Sequence, residues 1–188
     1  MPRRTLKPSA ALYPMPVVLV TCGDMERPNI ITIAWTGIAC SDPPTVSISI
    51  RPNRYSHELI QRSGEFVINI PTLELLEKVD FCGVTSGRDR DKFGECGFTA
   101  LPATKVKPPL IGECPINLEC TVTQMLPIGA HDMFLARIEV VHGESDVIDE
   151  KGRIDASRAI PITFVTYNYY RLGDYLNSYG FTGGRLSE

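Results

Sequence analysis

The sequence predicts a mainly β fold with a few helices (α+β), in which an antiparallel sheet closes into a barrel. About seven segments have the apolar runs or two-residue alternation that is typical of strands, and two or three helical segments group in the middle of the chain. Helices that do not alternate with strands argue against βαβ units and a parallel sheet. We expect one domain over residues 1–188, with the barrel in roughly 15–170 and a C-terminal tail in 171–188.

The composition is that of a globular protein, with 43% hydrophobic residues and a formal net charge of −3. This charge gives no indication of nucleic-acid binding, and no apolar run approaches the roughly 18 residues of a membrane span. The basic N-terminus lacks the apolar segment of a secretory signal, so we expect a cytoplasmic protein whose six cysteines are reduced. No CxxC pair or HxxxH motif occurs, and no metal site is predicted.

The first part of the chain predicts three strands. Apolar runs over Met15–Cys22 and Ile30–Thr36 are separated by turn residues, which favours an antiparallel pair. The sequence Asp-Pro-Pro at 42–44 breaks the chain, because proline fixes φ and restricts the residue before it. Apolar and polar residues then alternate over 46–51, which predicts a third strand with one buried face.

The middle of the chain combines helices with one strand. Arg54–Arg62 has helix-compatible residues, with Asn53 or Ser56 as the N-cap and Gly64 as the C-terminal stop. The polar residues of this helix, including His57, are expected on its surface.

A strand over Glu65–Pro71 follows, and then a helix over Leu73–Phe81 capped by Thr72. A short helix is predicted over Arg88–Phe93.

The last part of the chain returns to strands. Glu95–Cys114 is rich in proline and glycine and is expected to cross the surface with little regular structure. Alternation over 116–123 and 134–142 predicts two long strands, and 162–167 predicts a last one. A group of tyrosines near the C-terminus is expected to pack over a barrel end or across a subunit contact: Tyr167, Tyr169, Tyr170, Tyr175 and Tyr179.

Two basic stretches each precede a predicted helix. Residues 49–56 gather hydroxyls, two arginines and a helix start, and residues 85–93 repeat this pattern with three more cations. A helix N-terminus and an arginine both favour a phosphate. Each stretch alone is equally compatible with a solvated surface, but the two together favour one anion site. No GxGxxG or GxxxxGK[ST] motif is present, which excludes a Rossmann or P-loop phosphate site.

A third stretch, Asn29–Thr36, carries polar residues and the sole tryptophan, Trp35. A strand at the edge of a cofactor supplies backbone groups to its polar rim, and Thr32 and Thr36 add hydroxyls. The alternative is that Trp35 fills the core between its apolar neighbours. Cys40, slightly further along, is either a redox thiol or a small buried residue.

In these stretches (NIITIAWT, SIRPNRYS and SGRDRDKF) the chain resembles the flavin reductase-like family of FMN-binding split β-barrels, including the flavoredoxins, over roughly residues 15–170. The resemblance implies non-covalent FMN, a homodimer, and residues around the ring, ribityl chain and phosphate. These residues are Asn29, Thr32, Ala34, Trp35, Thr36, Ser49, Arg51, Arg54, Tyr55, Ser56, Ser86, Asp91 and Lys92. Lys92 is expected at the phosphate or ring, and Asp91 at a ribityl hydroxyl or bonded to Lys92.

The sequence Gly129-Ala130-His131-Asp132 matches a family G-D-H motif in its histidine but not in its aspartate. His131 is therefore the expected catalytic residue on the donor side, and the electron donor is either NAD(P)H or a redox protein. The resemblance implies an oxidoreductase that transfers electrons through bound FMN. Two alternatives are an FMN-binding protein without turnover and a reductase that supplies free reduced flavin to a monooxygenase partner.

Overall fold

The computed structural model describes residues 1–182, which are mainly β. The strands are β1 (Met15–Pro16), β2 (Val18–Cys22), β3 (Asn29–Ile33), β4 (Thr36–Ser41), β5 (Pro44–Ile50), β6 (Glu65–Ile70), β7 (Ala100–Leu101), β8 (Leu110–Ile111), β9 (Ile116–Pro127), β10 (Asp132–Gly143), β11 (Ile162–Val165) and β12 (Asn168–Arg171). The α-helices are α1 (Tyr55–Ser63), α2 (Leu76–Val84) and α3 (Lys92–Cys96), and short 3₁₀ turns cover Leu73–Leu75, Ser145–Val147 and Ala156–Ala159.

A seven-stranded antiparallel sheet in the order β3-β2-β6-β9-β10-β5-β4 forms the centre of the molecule. It curls into a half-barrel, so that β3 contacts β5 across the fold. A smaller sheet, β1-β11-β12, lies beside it, and its outer hairpin connects β11 to β12. The predicted mainly β, split-barrel architecture is confirmed.

Both faces of the central sheet are covered, which explains the continuous apolar run of β2. Val18 and Val20 face a core that also contains Leu59 and Ile60 of α1. Leu19 faces a second core, to which α2 and α3 contribute. Because successive side chains of a strand point to opposite faces, a strand buried on both faces has no position that faces solvent. Its one polar residue, Thr21, is buried and donates to the carbonyl of Pro109.

The first two predicted strands are each divided in the structure. Val17 separates β1, which pairs with β11, from β2, which pairs with β3. The predicted strand over Ile30–Thr36 ends at Ile33, and Thr36 begins β4, which pairs with β5. The strand β4 is an exposed edge strand, and its residues therefore lack the alternation that predicts a strand.

Helix starts differ from the prediction, but one helix end is confirmed. Arg54 occupies the N-cap of α1 without a side-chain bond, so neither Asn53 nor Ser56 caps it. Gly64 ends the helix with a left-handed φ of 70°.

The helix predicted over Arg88–Phe93 begins instead at Lys92. The Asp91 side chain accepts a hydrogen bond from the Gly94 N–H and thereby caps α3. Within residues 1–182, none of the helices combines the length and apolar character that a bilayer crossing requires.

The segment Glu95–Cys114 is largely irregular, apart from the two-residue ladder of β7 and β8. One buried carboxylate, Glu119 on β9, anchors it by accepting bonds from the backbone N–H groups of Thr104, Lys105 and Val106. His142 on β10 also bonds this carboxylate, with an Nε2–Oε1 distance of 2.6 Å. The segment is also fixed by its own apolar side chains, since Phe98 and Ile111 lie in one core cluster and Val106 and Leu110 in another.

Candidate functional site

Two adjoining cavities lie where the curled sheet meets α1 and the α2–α3 loop. The larger has a volume of about 500 Å³ and the smaller about 150 Å³, and they share Ile31, Arg54 and Gly83. Predicted site residues on the larger cavity are Thr32, Ala34, Trp35, Ser49, Arg51, Arg54 and His131. Those on the smaller are Arg54, Tyr55, Ser56, Ser86 and Lys92. The structure thus brings residues 49–56 together with residues 85–92.

The smaller cavity is polar and lies at the N-terminus of the nine-residue helix α1. The first N–H groups of a helix have no partner within the helix and carry a partial positive charge. Arg54, at the N-cap, adds a guanidinium to the same wall. This end of the helix is suited to a small anion.

Lys92 contributes a buried ammonium group to the smaller cavity. Its side chain is almost fully buried, and Nζ donates to the carbonyl oxygens of Ile30 and Cys82, each at 2.8 Å. Burial lowers the pKa of Lys92; the thiols of Cys82 and Cys22 oppose this effect, and the positive charge of Arg54 adds to it.

No carboxylate of residues 1–182 pairs with this ammonium group. An ammonium group has three N–H donors. Two of them bond neutral carbonyls here, so one N–H donor and the positive charge remain for a ligand.

Aromatic rings border the larger cavity. The ring of Trp35 stacks on that of His131, with centroids 5.9 Å apart and an interplanar angle of 15°. The ring of Phe164 is tilted by 49° to that of Trp35, with centroids 6.4 Å apart. Trp35 is 43% exposed, so the interpretation of this residue as core filling is wrong. The turn at Ala34-Trp35, where β3 ends, carries the indole out of the sheet.

His131 lies in the turn immediately before β10 and is partly buried. Burial lowers its pKa, and the nearby guanidinium of Arg51 lowers it further. Its imidazole is therefore neutral at neutral pH and can donate from one ring nitrogen while accepting at the other.

Three predicted site residues do not line either cavity. Asn29 is buried and its Nδ2 donates to Ser56 Oγ at 2.7 Å, so it positions a cavity residue. Thr36 donates through Oγ1 to the carbonyl of Ser47 at 2.9 Å. Asp91 bonds the backbone of Gly94 rather than Lys92, because its carboxylate caps α3.

Sequence reasoning missed several residues around the cavities. Gly83 and Gly87 line the smaller one, and a Cβ at Gly87 would overlap the amide oxygen of Asn29. Phe164 lines the larger one from β11, far away in sequence. Gly87 in SGRD and Gly83 in CGVT could have indicated these positions, because a glycine lets another group approach the backbone closely.

One further side chain lies elsewhere than predicted, and for another the structure excludes one of two alternatives. His57 is buried and pairs with Asp132, so its expected place on the helix surface is wrong. Cys40 is exposed near the end of β4 and is not a small buried residue.

In this half-barrel a small cavity with cationic side chains therefore adjoins a larger cavity bordered by aromatic rings. The family model described as flavin reductase like domain matches residues 10–173. The chain belongs to this family, and its resemblance to the flavoredoxin type is confirmed.

Solved flavoredoxins have the same fold over their full length. The flavoredoxin of Desulfovibrio vulgaris (Miyazaki F) is 31% identical with a TM-score of 0.88, over 97% of this chain and 99% of that chain. The flavoredoxin from Methanosarcina acetivorans is 27% identical with a TM-score of 0.88, over 98% and 100%. An uncharacterised protein of Archaeoglobus fulgidus is 38% identical over 135 residues, which are 71% of this chain and 76% of the relative. The family and the similarity to flavoredoxins support a flavin-related redox function.

Proposed function

We propose that this protein binds FMN non-covalently and acts as an oxidoreductase that passes electrons through the bound flavin. One observation carries the proposal: the buried Lys92 ammonium and the Arg54 guanidinium line a small cavity that adjoins a larger cavity with aromatic walls. Two cations this close without a carboxylate repel each other, and a phosphate would compensate both. FMN combines one phosphate with one flat ring system, which fits two cavities of unequal size.

The residues present divide between anchoring and orientation. Lys92, Arg54 and the N-terminus of α1 would hold the phosphate, and Ser56 and Ser86 would supply hydroxyls to it or to the ribityl chain. Thr32, Ala34 and Ser49 lie on the larger cavity, where the ring would be seated. The flavin, when bound, supplies the redox chemistry, since it accepts and releases electrons.

His131 would act on the donor side of the ring. As a neutral imidazole stacked on Trp35, it is held in one orientation and offers a hydrogen bond to a donor molecule without taking up a proton. The donor is NAD(P)H or a reduced redox protein. The exposed aromatic side chains closer to the C-terminus, Tyr175 and Tyr179, suit a homodimer contact.

Binding and turnover can be tested separately. Purified protein is mixed with FMN and passed through gel filtration with light-scattering detection, where a yellow peak of dimer mass is expected. Stopped-flow bleaching of the flavin with NADH, NADPH or a reduced rubredoxin then tests electron transfer. A colourless peak would contradict FMN as a cofactor, and a yellow protein that no donor bleaches would leave flavin binding without turnover. Release of the flavin once it is reduced would support delivery to a partner enzyme.

A further inference from the structure

The hairpin between β11 and β12 has an unusual turn. Val165 pairs with Asn168, so only Thr166 and Tyr167 form the loop. Both have left-handed backbones, with φ of 46° and 66°. Two-residue turns of this kind favour Asn-Gly, because a left-handed φ is disfavoured for side chains that are β-branched or bulky.

The surrounding ladder imposes this conformation. β11 pairs with β12 over four residue pairs, from Ile162↔Arg171 to Val165↔Asn168, and with β1 on its other edge. The side chain of Asn168 also donates to the carbonyl of Thr166 at 2.8 Å. Strained backbone of this kind persists only where the neighbouring structure determines it, and it concentrates at ligand sites.

The turn places the Tyr167 ring at the rim of the larger cavity. The ring meets Phe164 edge-on, with centroids 6.3 Å apart at 81°, and Phe164 in turn packs against Trp35. Tyr167 is nevertheless 84% exposed, so burial within this chain does not offset the strain of its backbone. An aromatic ring held out at a cavity mouth in a disfavoured conformation has most of its surface available for a ligand.

We propose that Tyr167 determines specificity by packing against a planar conjugated ring that enters the larger cavity as a second ligand beside the flavin. This inference rests on the proposed function, because it assigns the ligand of the same site. Together, Tyr167, Phe164, Trp35 and His131 form an aromatic rim. Aromatic pairs in offset or edge-on contact gain free energy beyond that of buried area, and the ligand class is a nicotinamide or another flat aromatic acceptor.

Substitutions in this turn separate the effect of the Tyr167 ring from the effect of the strained backbone. The double variant T166N/Y167G installs the residues that the turn prefers and removes the ring, so it should unfold at a higher temperature than the wild type. Y167F retains the ring. Tyr170→Ala removes an exposed tyrosine from β12 of the same hairpin without touching either cavity, and it serves as the matched control.

The probes are NAD⁺ and benzoate, which do not reduce oxidised flavin. Each is titrated calorimetrically into protein saturated with FMN, and FMN affinity is measured separately. We expect at least one probe to bind about fivefold more weakly to T166N/Y167G, and Y167F and Tyr170→Ala to stay within about twofold of the wild type. FMN affinity should be unchanged. The probe that responds distinguishes a nicotinamide from an aromatic acceptor.

Several results would overturn the proposal. Equal probe affinity in T166N/Y167G and the wild type would do so, as would failure of both probes to bind the wild type. A change of oligomeric state without a change of probe affinity would assign Tyr167 to a subunit contact instead. If the wild type does not bind FMN, the proposed function fails. Fluorescence quenching of the sole tryptophan, Trp35, then measures probe binding to the flavin-free protein. Equal quenching in both proteins would overturn the role of Tyr167 as well.

Discussion

The imidazole Nε2 of His57 lies 2.7 Å from the carboxylate Oδ2 of Asp132, and both side chains are buried. The pair connects the first turn of α1, beside the smaller cavity, to the start of β10, next to His131 on the larger cavity. The ring of His57 also packs edge-on against Phe134 at 5.2 Å. One hydrogen bond therefore joins the helix beside the smaller, cationic cavity to the strand that follows His131 on the larger, aromatic cavity.

Removing one partner of this pair should destabilise the fold. We expect His57→Ala or Asp132→Ala to lower the free energy of unfolding by about 3 kcal/mol, because the remaining polar group loses its partner in a buried site. Urea denaturation measures the change. Glu58→Ala, which removes the exposed partner of Arg88, should cost less than about 1 kcal/mol. A double variant no more destabilised than either single one would show coupling, whereas additive losses would contradict it.

Replacing Lys92 with methionine should separate binding from stability. The variant removes a buried ammonium but keeps the length of the side chain, so FMN affinity should fall by about 1–3 kcal/mol. The stability of the flavin-free protein should change little, because relief of the buried charge offsets the loss of the bonds to the carbonyls of Ile30 and Cys82. Flavin fluorescence titration and thermal unfolding measure the two quantities. The exposed Lys107→Met is the control for net charge. Equal FMN affinity in K92M and the wild type would remove Lys92 from the proposed phosphate site.

Gly87 should tolerate no side chain. A Cβ there would overlap Asn29, whose amide bonds Ser56, so Gly87→Ala should displace this bond and weaken FMN binding at least about tenfold. Gly37→Ala is the matched control, because nothing lies within 4 Å of its Cβ position. Isothermal titration calorimetry compares the two. Identical affinities would mean that the loop containing Gly87 moves without consequence for the site.

Arg51 should control the protonation of His131. Burial lowers the pKa of this histidine first, and the charge of Arg51 lowers it further, so Arg51→Ala should raise the pKa towards its ordinary value of about 6.5. Imidazole NMR signals followed from pH 8 to pH 5 give the value directly. Arg54→Ala removes another cation from the wall of the same cavity. Because Arg54 does not contribute to the pKa shift of His131, this variant should leave that pKa unchanged. An unmoved titration in Arg51→Ala would contradict the electrostatic effect.

Glu119 should make stability sensitive to acid. Burial raises the pKa of its carboxyl, but bonds from Thr104, Lys105, Val106 and His142 outweigh burial and lower it overall. A carboxyl whose pKa is lower in the folded state stabilises the protein above its unfolded pKa, and this contribution is lost as pH falls through the folded value. Glu119→Gln should therefore be less stable than the wild type at pH 7, with a difference that shrinks below about pH 4.5. Urea midpoints at several pH values measure it, and a constant difference would contradict the expectation.

Local patterns in the sequence were sufficient for much of the fold. Alternation over 46–51, 116–123 and 134–142 predicted β5, β9 and β10, because a strand with one buried face repeats every two residues. Gly64 predicted the end of α1, because the left-handed backbone that ends a helix is a property of that one residue. Cations close to two predicted helix starts also singled out Arg54 and Lys92, which line the same cavity in the structure. That this cavity binds an anion stays a prediction.

Contacts between residues far apart in the sequence determined the remaining features of the fold and the site. The strand β4 shows no alternation of apolar and polar residues because it lies at an exposed edge of the sheet. Trp35 lies outside the core because the chain turns immediately before that strand. The burial of Lys92 against Ile30 and the pairing of His57 with Asp132 join residues separated by 62 and 75 positions. Such contacts depend on how the sheet curls and where helices pack on it, and sequence periodicity carries no information about either. Which cations share one cavity, and which aromatic rings face it, are therefore properties of the closed fold.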